Sequence, residues 1–326
     1  MTDAGHALRM MADSALDRTV VPGYSRFGYA LRARLWRGGE GPDLADGALA
    51  GGIVAVTGAN SGIGKAVSTQ LAGLGAQVVM LVRNTSKGAD ARDEVLRAHP
   101  QADVRVERCD VSDLDAVRST ARRLRSSLPK LDALVHNAGV LPESRGESAQ
   151  GHEITLATHV LGPFLLTEEM RPLLAGAARP RVVFVSSGGM YTQTLHSEDP
   201  EYRCGQFRGA TAYARTKRMQ VALLPPLAER LSGEKVTVAA MHPGWVETPG
   251  VARSLPGFHR LVGAILRSPD QGADTITWLV ATGRELPGAR LWHDWAPRPE
   301  HYLPRTRYSA DDRDALWRYV RSAVEG

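Results

Sequence analysis

The chain has 326 residues, 43% of them hydrophobic and 23% charged, enough for one large α/β domain with a sizeable core or for two small ones. That composition excludes a disordered or fibrous protein. The net charge of +5 comes from basic residues spread along the chain with no nucleic-acid-binding motif, so the expectation is a basic surface with an anionic cofactor, and no nucleic-acid partner.

Cys109 and Cys204 sit in no CxxC or Cys/His spacing, so no metal site is expected. So few cysteines suit reduced thiols and a cytoplasmic, intracellular setting, with Cys109 read as a buried small hydrophobe. No apolar run reaches the ~18–20 residues of a membrane span. The N-terminus lacks the apolar region of a signal peptide.

Three parts follow in order: an extension over residues 1–50, an alternating strand–helix region over 51–296 and a helical tail over 297–326. In the extension, Phe27, Leu31 and Leu35 recur every four residues among Arg26, Arg32, Arg34 and Arg37, which predicts a short basic amphipathic helix. The favoured reading packs that stripe on the main domain. The alternative is membrane-surface contact through residues 24–37. Gly38 to Pro42 then reads as a linker.

In the central region, strands are expected at Ile53–Thr57, Val78–Val82, from Val104, Leu131–Val135, Val182–Val185 and Val236–Ala240, with Arg290-Leu291-Trp292 as a seventh. Helices lie between them, with a long one over about 209–223 and another around 271–282. Continuous apolar strands separated by helices predict a doubly wound, mostly seven-stranded parallel sheet of Rossmann type covered on both faces, in a single domain with two extensions. In the tail, Ser309-Ala310-Asp311-Asp312 reads as a helix start, with Leu316 and Val320 as its apolar stripe.

The first strand runs into Gly58, Asn60, Ser61, Gly62, Ile63, Gly64 and Lys65, which read as a phosphate-binding loop. Gly58 permits the tight turn, Gly62 the approach of a pyrophosphate and Gly64 close helix–strand packing, while the helix N-terminus offers free amides. Arg83 and Asn84 follow the second strand, where an acid would select NAD(H). Arg83 with Lys65 therefore favours the 2′-phosphate of NADP(H). The alternative is that Arg83 stacks on adenine and the site takes either cofactor. Asp110 and Val111 close the third strand, where Asp110 accepts from the adenine amino group or else caps the helix near Ser112. Asn137-Ala138-Gly139 follow the fourth strand and leave room beside the ribose.

Tyr213 and Lys217 stand four apart on one predicted helix face, where an ammonium lowers the phenol's pKa from ~10. Ser187 ends the fifth strand, placed to bond a substrate oxygen. A Tyr–Lys pair alone is common by chance; in this order after a glycine turn and a Ser-Ser strand end it is specific.

Together these residues, with Pro243-Gly244 and Thr248, resemble the short-chain dehydrogenase/reductase family over about 51–296. Ser186 to Met190, Met241 to Trp245, Thr248 to Val251 and Gln271 to Thr275 are similar to its "member twelve" subgroup. The arginine after the second strand is similar to that of retinol dehydrogenase-like relatives, which favour NADP(H). The resemblance implies catalysis by Ser187, Tyr213 and Lys217, and nicotinamide contacts from Pro243, Gly244 and Thr248. It also implies an asparagine where this chain has His159, which either holds the same water or is a packed histidine. Pro225-Pro226 interrupt the helix that usually builds the family dimer, so the expectation is a kink and a weaker dimer, with the oligomeric state open. The function expected is NADP(H)-dependent hydride transfer on a small carbonyl or alcohol. The competing reading is an NADP(H)-binding protein without turnover. Val251, Leu255, Phe258, Leu261, Val262, Ile265 and Leu266 in a lid over 249–267, with Trp245 and Tyr191, hint at an apolar substrate.

Overall fold

The structure is a computed structural model that describes residues 3–35, 44–248, 257, 260 and 262–325. Arg37, the linker glycines and most of the expected lid lie outside the described residues.

Seven parallel strands form the sheet: β1 (Ile53–Thr57), β2 (Gln77–Val82), β3 (Val104–Arg108), β4 (Ala133–His136), β5 (Arg181–Val185), β6 (Thr237–Met241) and β7 (Arg290–His293). The order is β3-β2-β1-β4-β5-β6-β7, so the winding direction reverses between β1 and β4, the crevice where ligands of such sheets sit. An eighth strand, β8 (Ala296–Arg298), corrects the expected count of seven. It runs antiparallel to β7 after Asp294 and Trp295, whose positive φ values of 46° and 62° make the tight hairpin turn. Its three residues include Pro297, too little pattern to read from sequence.

Apolar runs account for the layers. In β1 all five residues are buried; Val54 and Val56 face one side of the sheet, Ile53 and Ala55 the other. Helices α4 (Gly62–Gly73), α5 (Thr85–Ala98), α6 (Leu114–Ser127), α7 (Ile154–Leu156), α8 (Gly162–Ala175), α9 (Gly209–Ala222), α10 (Leu224–Arg230) and α11 (Pro269–Ala281) cover both faces. A π-turn, Ala157–Leu161, joins α7 to α8. Cys109 is 3% exposed beyond β3, the buried position its pattern predicted. Helix α12 (Ala310–Glu325) buries Leu316, Val320 and Val324. Pro225 and Pro226 fall in the first turn of α10, where a helix needs no backbone donors, so the long helix becomes two joined at Leu223.

The N-terminal extension forms α1 (Asp3–Arg18), α2 (Val20–Tyr24) and α3 (Arg26–Leu35). The expectation that the stripe of Phe27 and Leu31 packs on the domain fails. Both are exposed, at 61% and 46%, and the buried face carries Gly28 and Arg32. The reason is ionic. The Arg32 guanidinium donates to Asp13 at 2.7 Å, Asp17 at 3.2 Å and Asp294 at 2.8 Å. Arg267 donates to Asp294 at 2.6 and 2.8 Å, and Arg298 to Asp13 at 2.6 and 3.0 Å. Three buried arginines and three buried aspartates balance in charge. Desolvation opposes ionisation of Asp294, yet the Arg267 and Arg32 guanidinium groups hold its carboxyl well below the usual range.

Four histidines, His136, His159, His242 and His293, are at most 1% exposed. Burial pushes each imidazole below its ordinary value, His136 to about 3. In the unfolded chain they take up protons below about pH 6.5, whereas in the fold they stay neutral to much lower pH. The unfolded state then binds more protons, so stability falls with acid by up to about 1.4 kcal/mol per pH unit for each group. We expect urea denaturation to show roughly 5 kcal/mol less stability at pH 5.5 than at pH 7. Equal stability at the two values would show that these imidazoles do not stay neutral in the fold.

Candidate active site

The site is built at the C-terminal ends of the parallel strands. Gly58 turns at a φ of +64°, and a Cβ there would stand 2.9 Å from the Cα of Ala138, so β1 and β4 meet backbone to backbone. A Cβ on Gly64 would strike the Gly58 carbonyl oxygen and the Asn137 amide, both at 2.4 Å. Asn137 donates from Nδ2 to the carbonyls of Thr57 at 3.0 Å and Gly58 at 3.3 Å, so its side chain fixes the glycine turn. Thr57 Oγ1 receives the amides of Asn137 and Ala138.

Helix α4 opens differently from its neighbours. Asn84, Asp113 and Ser268 accept amides at the starts of α5, α6 and α11, but Ser61 makes no side-chain cap bond for α4. Its first-turn amides keep donors for an anion. Gly62, at φ +52°, faces Thr248, whose Cγ2 would be 3.3 Å from an added Cβ. The glycine loop and the loop after β6 therefore close on one groove. A glycine-walled notch and an uncapped helix start fit a dinucleotide pyrophosphate.

Other expected contacts are only partly assembled. Lys65 pairs with Glu94 rather than turning to Arg83. Arg83 is 74% exposed, its Nε 4.0 Å from Asp110. Asn84 caps α5 through Lys87 N at 3.0 Å. Asp110 accepts the Ser112 amide at 3.0 Å and its hydroxyl at 2.7 Å, while Asp113 is the residue that caps α6, which settles the capping alternative. Val111 is buried, its carbonyl against Gly162.

The catalytic candidates do converge. Tyr213 is half-buried, with Ser187 close enough to its hydroxyl to act on the phenol's pKa. Burial raises that pKa, and Ser187 lowers it in part. Lys217 is 2% exposed, its Nζ 5.5 Å from the centre of the Tyr213 ring and donating to the Val185 carbonyl at 2.7 Å. Burial pulls this ammonium down to about 7. Ser187 Oγ also accepts the Gly189 amide at 3.2 Å, which shapes the turn after β5.

His159 stands edge-on to Tyr213, with ring centres 5.3 Å apart. Its Nε2 accepts the Val140 amide at 3.0 Å, and its Nδ1 lies 2.8 Å from Thr216 Oγ1, whose hydroxyl is aimed at the carbonyls of Ala212 and Tyr213. That pattern fixes a neutral ring with the proton on Nδ1. Both nitrogens are engaged, so none is left to hold a water. His159 ties the 139–140 loop to the tyrosine helix. Tyr191 is buried: its hydroxyl donates to the Pro299 carbonyl at 2.8 Å and its ring packs on Tyr302.

Sequence reasoning missed the residues that hold the loops. Ser186 Oγ donates to the Lys217 carbonyl at 2.9 Å, anchoring α9 to β5. The fully buried Arg267 donates to the carbonyls of Gly23 (3.1 Å), Tyr24 (3.1 Å), Ser25 (3.2 Å) and Pro243 (3.2 Å). Tyr24 O also accepts the Trp245 amide at 2.8 Å, and the Tyr24 ring lies against Gly188, where a Cβ would be 2.7 Å from its Cε2. The extension is thus wedged between the serine turn and the Pro243-Gly244 loop. No local pattern announces this, because the partners stand more than 160 residues from Tyr24. Asp17, His242 and His293 bring ligand-type atoms within 4.8 Å of one another, but Arg32, Arg267 and Arg298 beside them oppose a cation.

A phosphate-ready helix start at the switch point, with serine, tyrosine and lysine on the adjoining strand end and helix, defines a Rossmann-type oxidoreductase. The family model described as short chain dehydrogenase matches residues 52–256. Dehydrogenase/reductase SDR family member 12 of Bos taurus is 37% identical over 278 residues, spanning 84% of this chain and 87% of that protein. Human retinol dehydrogenase 14 is 30% identical, over 83% and 84%. A crystal structure of an uncharacterised protein from Mycobacterium paratuberculosis superposes with a TM-score of 0.69 at 26% identity, covering 87% of this chain and 96% of that one. The chain belongs to the short-chain dehydrogenase/reductase family, whose members bind nicotinamide cofactors and act on CH–OH or C=O groups.

Gly188→Ala should destabilise the protein by roughly 1–3 kcal/mol through its clash with Tyr24. In a Tyr24→Ala background most of that cost should vanish, a coupling of roughly 1–2 kcal/mol in a denaturation double-mutant cycle. Additive effects would mean that the extension does not press on the serine turn.

Proposed function

We propose that the protein is an NADP(H)-dependent oxidoreductase that interconverts a small, apolar carbonyl and its alcohol, with Ser187, Tyr213 and Lys217 as catalytic residues. The observation that carries this is the buried Lys217 ammonium 5.5 Å from the centre of the Tyr213 ring, with Ser187 beside the phenol. A bound nicotinamide supplies or accepts the hydride. Ser187 Oγ bonds the substrate oxygen and orients it beside the phenol. Tyr213 Oη delivers a proton to that oxygen in reduction and removes it in oxidation. Lys217, charged below about pH 7, favours the phenolate and so eases the proton's release.

Cofactor choice rests on the end of β2. Arg83 is exposed there and no carboxylate occupies its place. Lys65 is held by Glu94, but an ion pair so exposed is worth only about 0–1 kcal/mol and yields to a phosphate. The apolar substrate is supported by the half-buried Trp245 and by the hydrophobic sequence of 249–267, of which 249–256, 258, 259 and 261 lie outside the described residues.

NADPH should bind at least tenfold more tightly than NADH, about 1.4 kcal/mol by calorimetry, and Arg83→Asp should reverse the order. Equal dissociation constants for the wild type would contradict the assignment. Tyr213→Phe should lower carbonyl reduction by roughly 10²–10⁴-fold and leave NADPH affinity within about twofold in fluorescence titration. Lys217→Met should reduce both turnover and affinity. Turnover that survives Tyr213→Phe would show that another group supplies the proton, and a wild type that binds NADPH but reduces no carbonyl would leave the reading without catalysis.

A further inference from the structure

The three N-terminal helices are arranged inside out. Toward the domain they turn Asp13, Asp17 and Arg32, each at most 2% exposed. Toward solvent they turn Met11 (70% exposed), Val20 (53%), Val21 (54%), Phe27 (61%) and Leu31 (46%). Among the described residues the remaining large hydrophobic side chain exposed to this degree is Leu303. Scattered apolar residues on a surface need no explanation, but five gathered on one 25-residue segment do. A helix that faces water on its outer side carries the opposite pattern.

Charge identifies the partner. Between residues 11 and 35 the exposed charged residues are Arg18, Arg26 and Arg34, and both acids of that stretch, Asp13 and Asp17, are buried in ion pairs. The Arg26 guanidinium lies 5.7 Å from the centre of the Phe27 ring, so the cation and the apolar group form one surface. Apolar side chains interspersed with arginines, with no exposed acid between residues 11 and 35, match the boundary between anionic headgroups and acyl chains. A two-fold contact between copies through this face would instead set like charges against one another. No described helix is long and apolar enough to cross a membrane, so the segment would lie along a surface.

We propose that the outer face of α1–α3 docks the protein peripherally on an anionic lipid bilayer. The buried Arg–Asp network holds the helices in the orientation that turns their apolar side chains outward. Through Gly23, Tyr24 and Ser25 the docked segment is joined to the loop of Pro243 and Trp245. The inference does not depend on the catalytic assignment.

The test is sedimentation of the full chain with vesicles of phosphatidylcholine alone and of phosphatidylcholine mixed with phosphatidylserine. Binding should be at least tenfold tighter to the mixed vesicles and should weaken as salt is raised. The Phe27→Glu/Leu31→Glu variant should lose at least tenfold in binding while keeping its Tm, since both side chains are exposed. Arg26→Gln/Arg34→Gln should lose affinity for mixed vesicles alone. Failure to bind either vesicle, or binding that Phe27→Glu/Leu31→Glu leaves intact, would overturn the proposal. A dimer in light scattering that the same variant dissociates would assign the face to a second copy and overturn it equally.

Discussion

The buried network of Arg32, Arg267 and Arg298 with Asp13, Asp17 and Asp294 sets much of the architecture around the candidate site. Isolated buried charges are expensive, and these are tolerated because each guanidinium finds a carboxylate and backbone carbonyls at hydrogen-bond distance. The network spans elements far apart in sequence: two N-terminal helices, the segment entering α11, the turn after β7 and β8. Removing one member strands the charge of its partners, so the extension is part of the domain's interior, although its residues lie outside the family's matching region.

Arg267 links that interior to the chemistry. It holds Asp294 with one side of its guanidinium and the carbonyls of Gly23, Tyr24, Ser25 and Pro243 with the remaining donors. The loop expected to touch the nicotinamide is therefore shaped partly by the N-terminus. Tyr24 presses from the same side on Gly188, next to Ser187. The tyrosine helix is fixed from its other side by His159 through Thr216 and by Ser186 through the Lys217 carbonyl. Such over-determined packing would hold Tyr213 and Ser187 in register for the proposed proton transfer.

The parallel sheet follows from a short-range property, the continuous apolar runs of strands buried on both faces, so β1 to β7 were legible with boundaries off by a residue or two. β8 was not, because three residues with a proline carry no periodicity. The glycine loop and the Tyr–Lys spacing were legible because their chemistry requires particular residues at particular local offsets. The partner of Lys65 was not, since Glu94 reaches it from the next helix.

The sequence by itself determined the winding, the glycine turn after β1 and the spacing of the serine, tyrosine and lysine, because backbone sterics and helical periodicity act over a few residues. Tertiary structure alone decided which face of α3 turns inward. The four-residue spacing of Phe27 and Leu31 marks a stripe but does not say what it meets, and Arg32 on another side of the same helix found three aspartates, one of them 262 residues away. Desolvating a guanidinium is permitted only where such partners converge, so the ionic demand overrode the apolar stripe and left it facing outward.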